Sequence, residues 1–315
     1  MMKKILPWLF LITFSILTGL ALFVAIEEST ESVSYPVEFL LPKKKTVTLV
    51  LVGDIMLDRG VEAMIKNKGE EDYKFPFLKI ADYLNKADIV FGNLESPISD
   101  KGVRVGSIYS FRAEPKTIEG LTFAGFDVLS VANNHAFDYG REALEDTLLR
   151  LKKAGIDCVG TGSPVIKEIN GSTSSPLKVA FLAYTNLGSP AWGISWADQN
   201  NIEEIKTEIK DIKSKADILI VSLHAGEEYQ KTPAQFQVEF FKIAREAGAD
   251  VVFGHHPHVV QPDFYSLGNF IFDQGFSKET MKGLLLEVVI RNKKIQEVKQ
   301  KEVKINGEFQ PTLSP

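Results

Sequence analysis

From residue 46 onward the chain alternates between short β-branched runs and longer stretches with apolar residues at every third or fourth position. The runs at 47–52, 88–91, 128–131, 178–184, 218–223 and 251–253 read as strands. Several are nearly continuous in Val, Ile, Leu and Phe, the pattern of a strand buried on both faces. The stretches at 77–85, 115–124, 141–154, 202–215 and 233–247 read as helices by their apolar period. Pro233 after Thr232 suits the cap and first turn of the last helix. Beyond it, 265–271, 284–290 and 295–303 are strand-like with turns between them. Strand–helix alternation ending in a β-rich tail predicts an α/β domain over 46–315, with helices covering its sheets. There is no internal repeat, and the Gly/Ser/Thr run at 171–175 reads as a surface loop.

The first 45 residues do not alternate in this way. Residues 5–26 carry no charged side chain; Lys3 and Lys4 precede them, and Glu27, Glu28 and Glu31 follow. About 20 apolar residues at ~1.5 Å rise each cross a ~30 Å hydrocarbon layer. Lysines before and acids after predict a single-pass anchor in the cell membrane, with residues 1–4 cytoplasmic and the main domain extracytoplasmic. A cleaved signal peptide is the alternative. It is disfavoured because its apolar stretch is usually about 7–15 residues and ends in a small-x-small site. Residues 27–45, with Pro36, Pro42 and Lys43 to Lys45, read as a tether.

Composition changes this picture little. Of the 315 residues, 44% are hydrophobic and 24% charged, ordinary for a packed core. A net charge of -5 offers no broadly basic face, so no nucleic-acid partner is expected. Cys158 is the single cysteine, so no intrachain disulfide forms, and its apolar neighbours mark it as a small core residue.

Histidine placement is more informative. All five, His135, His224, His255, His256 and His258, fall just after predicted strands. In open α/β sheets ligands bind at the carboxyl ends of strands. Carboxylates repeat the pattern: Asp54 closes the first strand and Glu95 follows the second. Imidazoles with carboxylates suit Zn, Mn or Fe, and one or two such ions are expected to act on a phosphoryl-type substrate. The turn Gly-His-His-Pro-His holds His256 and His258 on one side of a rigid loop, with His255 expected to point away. Asn134 beside His135 is a further ligand candidate. Asn93 and Asn133 also suit turns, Asp54 suits a helix cap, and Asp138 suits the cap of the helix starting near residue 140. Arg59 and Arg112 are candidate anion binders, and Glu228 a pocket-lining residue.

Seven segments, taken in order, carry a resemblance. They are Gly-Asp-Ile-Met-Leu-Asp-Arg (53–59), Gly-Asn-Leu-Glu-Ser-Pro (92–97), Phe-Arg-Ala (111–113), the stretch ending Ala-Asn-Asn-His-Ala-Phe-Asp-Tyr-Gly (125–140), His-Ala-Gly-Glu-Glu-Tyr (224–229), Gly-His-His-Pro-His-Val-Val-Gln (254–261) and Tyr-Ser-Leu-Gly-Asn-Phe-Ile-Phe-Asp (265–273). Together they resemble the CapA-type capsule, or poly-γ-glutamate, synthesis family, which is similar to calcineurin-like metallophosphoesterases. The resemblance implies a four-layer α/β/β/α sandwich. Carried over residue by residue, it implies metal ligation by Asp54, Asn134, His135, His224, His256 and His258, with Glu95 near a position where an Asp is expected. It also implies catalytic roles for Asp54 and His135. Met56 stands where that superfamily has a histidine, Asn93 where it has an aspartate, and the link Pro262–Phe264 is shorter than in relatives.

Two functional expectations follow. One is a metal-dependent hydrolase acting on a phosphoester or an acidic polymer. The other is a non-catalytic subunit whose pocket binds a polyanion and whose anchor docks to membrane synthase or export partners.

Overall fold

The computed structural model describes residues 46–105, 107–170 and 175–314. The expected anchor, tether and most of the 171–175 loop lie outside the described residues. Among those described, no helix is long and apolar enough to cross a membrane.

Strand β1 (Val47–Ile55) pairs in parallel with β2 (Ile89–Leu94), and β3 (Val128–Ser130) and β4 (Asp157–Val159) continue the parallel order. Between these strands come helices α1 (Arg59–Asn67), α2 (Ala81–Leu84), α3 (Ile118–Phe123) and α4 (Gly140–Lys153). A second sheet is built from β5 (Val165–Ile169), β6 (Leu177–Thr185), β7 (Ile218–His224) and β8 (Val251–His255), with α5 (Ile202–Lys215) and α6 (Gln235–Glu246) as its crossovers. A short hairpin follows, β9 (Val260–Gln261) and β10 (Ser266–Leu267), and β11 (Asn269–Ile271) pairs in parallel with β1. The tail strands β12 (Lys282–Arg291), β13 (Lys294–Ile305) and β14 (Pro311–Leu313) return to the first sheet antiparallel, on the far side of β1.

Three apolar layers hold these elements. Leu49, Leu51 and Phe91 of the first sheet meet Val179, Phe181, Ile220 and Phe253 of the second. Val50 and Val52, on the other face of β1, pack with Ile65, Leu121 and Leu151 of the helices. Leu219 and Val221 pack with Ile205, Ile209, Phe240 and Phe241. The order is helices, sheet, sheet, helices, as the four-layer expectation requires. All the parallel strands therefore end on one side of the sandwich.

Several elements differ from the sequence reading. The helix expected at 77–85 is a 3-10 turn, Phe75–Phe77, followed by the single turn of α2. Pro76 opens the turn and both Phe rings are buried, so burial sets the path there rather than a helical stripe. Helix α1 went unforeseen because only Val61 and Ile65 anchor it. Pro233 lies before α6, whose first turn is fixed instead by Gln237, which accepts from the Ala234 amide at 2.8 Å. The strand expected at 265–271 breaks at Gly268 (φ +68°). There the Gly268 carbonyl accepts from the Asp54 amide at 3.0 Å, and a Cβ on Gly53 would sit 2.0 Å from that oxygen. Glycine at both positions lets the two backbones close beneath the site.

The segment after Glu95 is pinned to α4 by buried polar contacts. Thr147 Oγ1 accepts from the Ile98 amide at 2.9 Å. Asp146 accepts from Ser99 Oγ at 2.7 Å and Arg150 Nε at 2.6 Å, with Lys101 at 3.2 Å. Burial opposes ionisation of Asp146, but the bonds from Arg150, Ser99 and Lys101 outweigh it and bring its carboxyl down to about 2. The folded state thus holds this proton less tightly than the unfolded chain. The stabilisation, about 2 kcal/mol, is full above the ordinary carboxylate range and is lost as pH falls toward 2. Asp146→Asn is expected to cost about that much at pH 7 and about a third of it near pH 2.5, read by chemical denaturation at both values.

Candidate metal centre and its cavity

Strands β1, β2, β3, β7 and β8 each deliver a polar group to the shared edge. Asp54, the next-to-last residue of β1, is registered with Asn93 of β2, which is registered with Ser130 of β3. Beyond β3 come Asn133, Asn134 and His135. In the second sheet His224 and His255 are paired at the ends of β7 and β8. The turn after β8 places His256 (φ +95°) and His258 (φ +57°) in left-handed backbone, uncommon without glycine. Such conformations persist only where surroundings over-determine them, and they gather at functional sites.

Glu95 is the hub. Its carboxylate is fully buried and neither oxygen has a hydrogen-bond partner among the described residues. Oε1 lies 3.8 Å from His135 Nε2, 3.8 Å from His224 Nε2 and 3.7 Å from His258 Nε2. These separations are too long for hydrogen bonds. They are close to the ~3–3.6 Å that two donors take when each lies ~2.1 Å from a shared ion. Donor atoms of Glu95, His256 and His258 fall within 4.8 Å of one another, as do those of Asp54, Glu95 and His224, so Glu95 belongs to both groups.

The electrostatics agree with a cation site. Burial, then the nearby charges of Asp54, Glu228 and Asp138, push the Glu95 carboxyl well above its ordinary range. Burial also works to raise Asp54, but contacts from His255, His258 and Asn93 prevail and hold it low. Burial, then neighbouring imidazoles, drives His224 well below its usual value and His256 down to about 3. Burial lowers His258 as well. Burial thus favours the neutral form of these three imidazoles, the protonation state that binds metal. A buried, unpartnered carboxylate ringed by neutral imidazoles is costly without positive charge. The residues present therefore fit a divalent metal ion.

The remaining candidates are placed as follows. Asp54 is fully buried and does not line the cavity. Its Oδ1 accepts from Asn93 Nδ2 at 2.9 Å and its Oδ2 from the His256 amide at 3.1 Å, so its position suits a ligand rather than a group that meets substrate. Asn134 Oδ1 lies 2.7 Å from His224 Nε2 and orients that ring. His135 is in neither ligand group: its Nδ1 donates to Asp138 Oδ2 at 2.8 Å, and it lines the cavity. Arg59 and Glu228 line the cavity too. Arg112 does not: its guanidinium sits 4.1 Å over the Tyr139 ring and donates to the Lys101 carbonyl at 3.1 Å. Met56 is buried with Val61 and Ile65 in the core and contributes no donor to either group.

Some readings are corrected. His255 does not point away: β8 runs through it, so it keeps the side of Val251 and Phe253, and its Nδ1 lies 3.0 Å from Asp54 Oδ1. Alternation fails only at His256, where the backbone turns left-handed. Asp138 does not cap α4; its Oδ2 accepts from both His135 Nδ1 and the Phe111 amide, the latter at 2.7 Å. Asn93 and Asn133 are not turn residues in the open. They are buried and linked, Asn133 Nδ2 donating to Asn93 Oδ1 at 3.1 Å. Cys158 is only partly buried, at the edge of the core, where burial pushes its thiol up to about 12.

Sequence reasoning missed Asp138 as the partner of His135 and missed most of the cavity wall. The cavity, of about 550 Å³, is also lined by Tyr109, Tyr229, Asp273, Gln274 and Phe276. Asp273 forms an ion pair with Arg59, which lies 4.5 Å over the Phe111 ring. His258 Nδ1 lies 2.9 Å from Asn269 Oδ1. Asn269 and Asp273 both fall in the 265–273 segment that carried the resemblance, and that was the available signal.

Residues 48–274 match the family described as bacterial capsule synthesis protein PGA_cap. The chain is 32% identical over 279 residues to the capsule biosynthesis protein CapA of Bacillus anthracis, covering 79% of this chain and 65% of that protein. It is 33% identical over 271 residues to the PGA biosynthesis protein CapA of Bacillus subtilis, covering 75% and 67%. The chain thus spans about two thirds of the length of these curated relatives. A solved phosphatase from Mycoplasma pneumoniae aligns with a TM-score of 0.48 at 17% identity, over 83% of this chain and 94% of that one.

Proposed function

The chain belongs to the bacterial capsule synthesis protein family, and from that premise we propose that it is a metal-dependent phosphoester hydrolase serving capsule or poly-γ-glutamate biosynthesis. The names of the Bacillus relatives support the biosynthetic context. The observation that carries the chemistry is Glu95: a buried carboxylate with both oxygens unpartnered, faced by three imidazole nitrogens.

Asp54, Glu95, His224, His256 and His258 would hold the cation, with Asn134 steadying His224. A divalent ion there supplies positive charge to a phosphoryl group and makes water more acidic at neutral pH. The chain's own residues do the rest. Asp138 holds the Nδ1 proton of His135, fixing the ring at the border of the cavity with Nε2 3.8 Å from Glu95 Oε1. As water oxygen bonds to phosphorus and the ester P–O bond breaks, His135 in its imidazolium form passes its Nε2 proton to the departing ester oxygen. The proton lost by the attacking water goes to solvent, from which the ring is reprotonated, and Asp138 stabilises the charged ring. Phe111, 4.2 Å from His135, keeps the imidazole packed while its amide holds Asp138 in place.

The test is turnover of bis-p-nitrophenyl phosphate and p-nitrophenyl phosphate by the full chain, before and after removal of metal. Release of nitrophenol that chelation abolishes and Mn, Zn or Fe restores is expected. A metal-replete, folded protein inert toward both esters contradicts the proposal.

We also propose that residues 5–26 anchor the chain in the cell membrane with the described domain outside. The support is the uncharged run between Lys3/Lys4 and the glutamates that follow it. External protease reaching the domain in intact cells supports this placement, and protection of the domain contradicts it. The non-catalytic, polyanion-binding alternative has less to recommend it, because Arg112 lies off the cavity and Arg59 is already paired with Asp273.

A further inference from the structure

Three separate loops each bring one aromatic ring to the mouth of the cavity: Tyr109, Tyr229 and Phe276. The rings are 63%, 42% and 66% exposed. Isolated exposed aromatics need no explanation, but three converging on one opening mark a binding surface. Tyr229 is held rather than loose: its backbone is left-handed (φ +64°), its amide donates to the Pro257 carbonyl at 2.8 Å, and its hydroxyl accepts from Gln274 Nε2 at 3.3 Å. Phe276 meets it edge-on, with ring centres 5.1 Å apart.

The charges around these rings limit the ligand. Among the described residues the cavity lining carries one guanidinium, Arg59, which Asp273 already occupies, and Glu228 adds a second carboxylate. A γ-linked polyglutamate bears a carboxylate on every residue. Beyond the one anionic group that a cation could take up, each would face Glu228 and Asp273 without a free guanidinium in the lining. An uncharged ring would face only the aromatic wall.

Resting on the phosphoester reading of the centre, we propose that the cavity selects an ester with a single phosphoryl head and an uncharged ring. The ring, a nucleobase or a sugar, lies on Tyr109, Tyr229 and Phe276, and a polyglutamate chain is disfavoured. Flat bases stack on aromatic faces, and sugars present CH-rich faces to them; both sources share this chemistry.

The experiment is equilibrium binding to the metal-loaded full chain of four probes that resist hydrolysis there. They are propylphosphonate (no ring), benzylphosphonate (flat ring), cyclohexylmethylphosphonate (saturated ring) and γ-linked triglutamate. At least one ring-bearing phosphonate is expected to bind about tenfold more tightly than propylphosphonate. Preference for the flat ring points to a nucleobase, and preference for the saturated ring to a sugar. The double variant Tyr109→Ala/Phe276→Ala is expected to erase the ring advantage and leave propylphosphonate affinity as it was. Both residues are exposed, and an unshifted melting temperature confirms that the variant is folded. Equal affinity for ring-bearing and propyl probes overturns this inference alone, as does an unaltered ring advantage in the double variant. Triglutamate binding more tightly than every phosphonate overturns it too. Failure of all three phosphonates to bind overturns both it and the phosphoester reading.

Discussion

Glu95→Gln is expected to weaken metal binding by at least about 100-fold and, at the same time, to make the metal-free protein more stable. Loss of an outer-shell partner alone typically weakens metal binding about 10- to 100-fold. Glu95 belongs to both donor groups, so a neutral amide there removes the shared anionic donor from each. Without metal the sign reverses. The wild-type carboxylate is buried beside Asp54 with neither oxygen bonded, and burial raises its pKa well above the ordinary range. An amide of the same shape spares the metal-free fold the cost of burying or protonating that acid, and can donate to imidazole nitrogens. A gain of about 1–3 kcal/mol in chelator-treated protein is expected. Elemental analysis with chemical denaturation, each with and without chelator, measures both effects. A carboxylate kept for structure gives the opposite pair: metal content unaltered and metal-free stability reduced.

His135→Ala is expected to reduce turnover by about 10²- to 10⁴-fold, the usual contribution of a positioned general acid, while bound metal stays at the wild-type level. The basis is geometric. His135 is fixed through Nδ1 by Asp138, borders the cavity, and stands outside both donor groups. Asp138→Asn, which replaces the accepting carboxylate oxygen, is expected to cost about 10- to 100-fold with metal retained. Loss of metal in His135→Ala would instead make His135 a ligand, as the resemblance implied.

Much of this was legible in the sequence because two signals are physical and local. A strand buried on both faces must be nearly continuous in Val, Ile, Leu and Phe, so β7 and β8 stood out, and the helical period marked α5 at its observed ends. Polar residues directly after such runs must sit at one sheet edge, so Asp54, Glu95, His224, His256 and His258 could be grouped before any coordinates. What stayed hidden depends on pairings distant in the chain. That Arg59 is occupied follows from Asp273, more than 200 residues away, and the freedom of Arg112 was lost to Tyr139 and the Lys101 carbonyl. Asp138 looked like a cap because caps are local, whereas its real partners are the His135 ring and the Phe111 amide. His255 was misread because the strand continues two residues further than expected. The short elements β4, β9 and β14 have too few residues to show a period at all.

The most direct measurement is anomalous diffraction from crystals of the protein soaked in Mn²⁺. A peak is expected about 2.0–2.4 Å from a Glu95 carboxylate oxygen, with its other neighbours drawn from His256 and His258 or from Asp54 and His224. Saturating Mn²⁺ with no peak within coordination distance of Glu95 would mean that these acids and imidazoles converge for some purpose other than holding a cation.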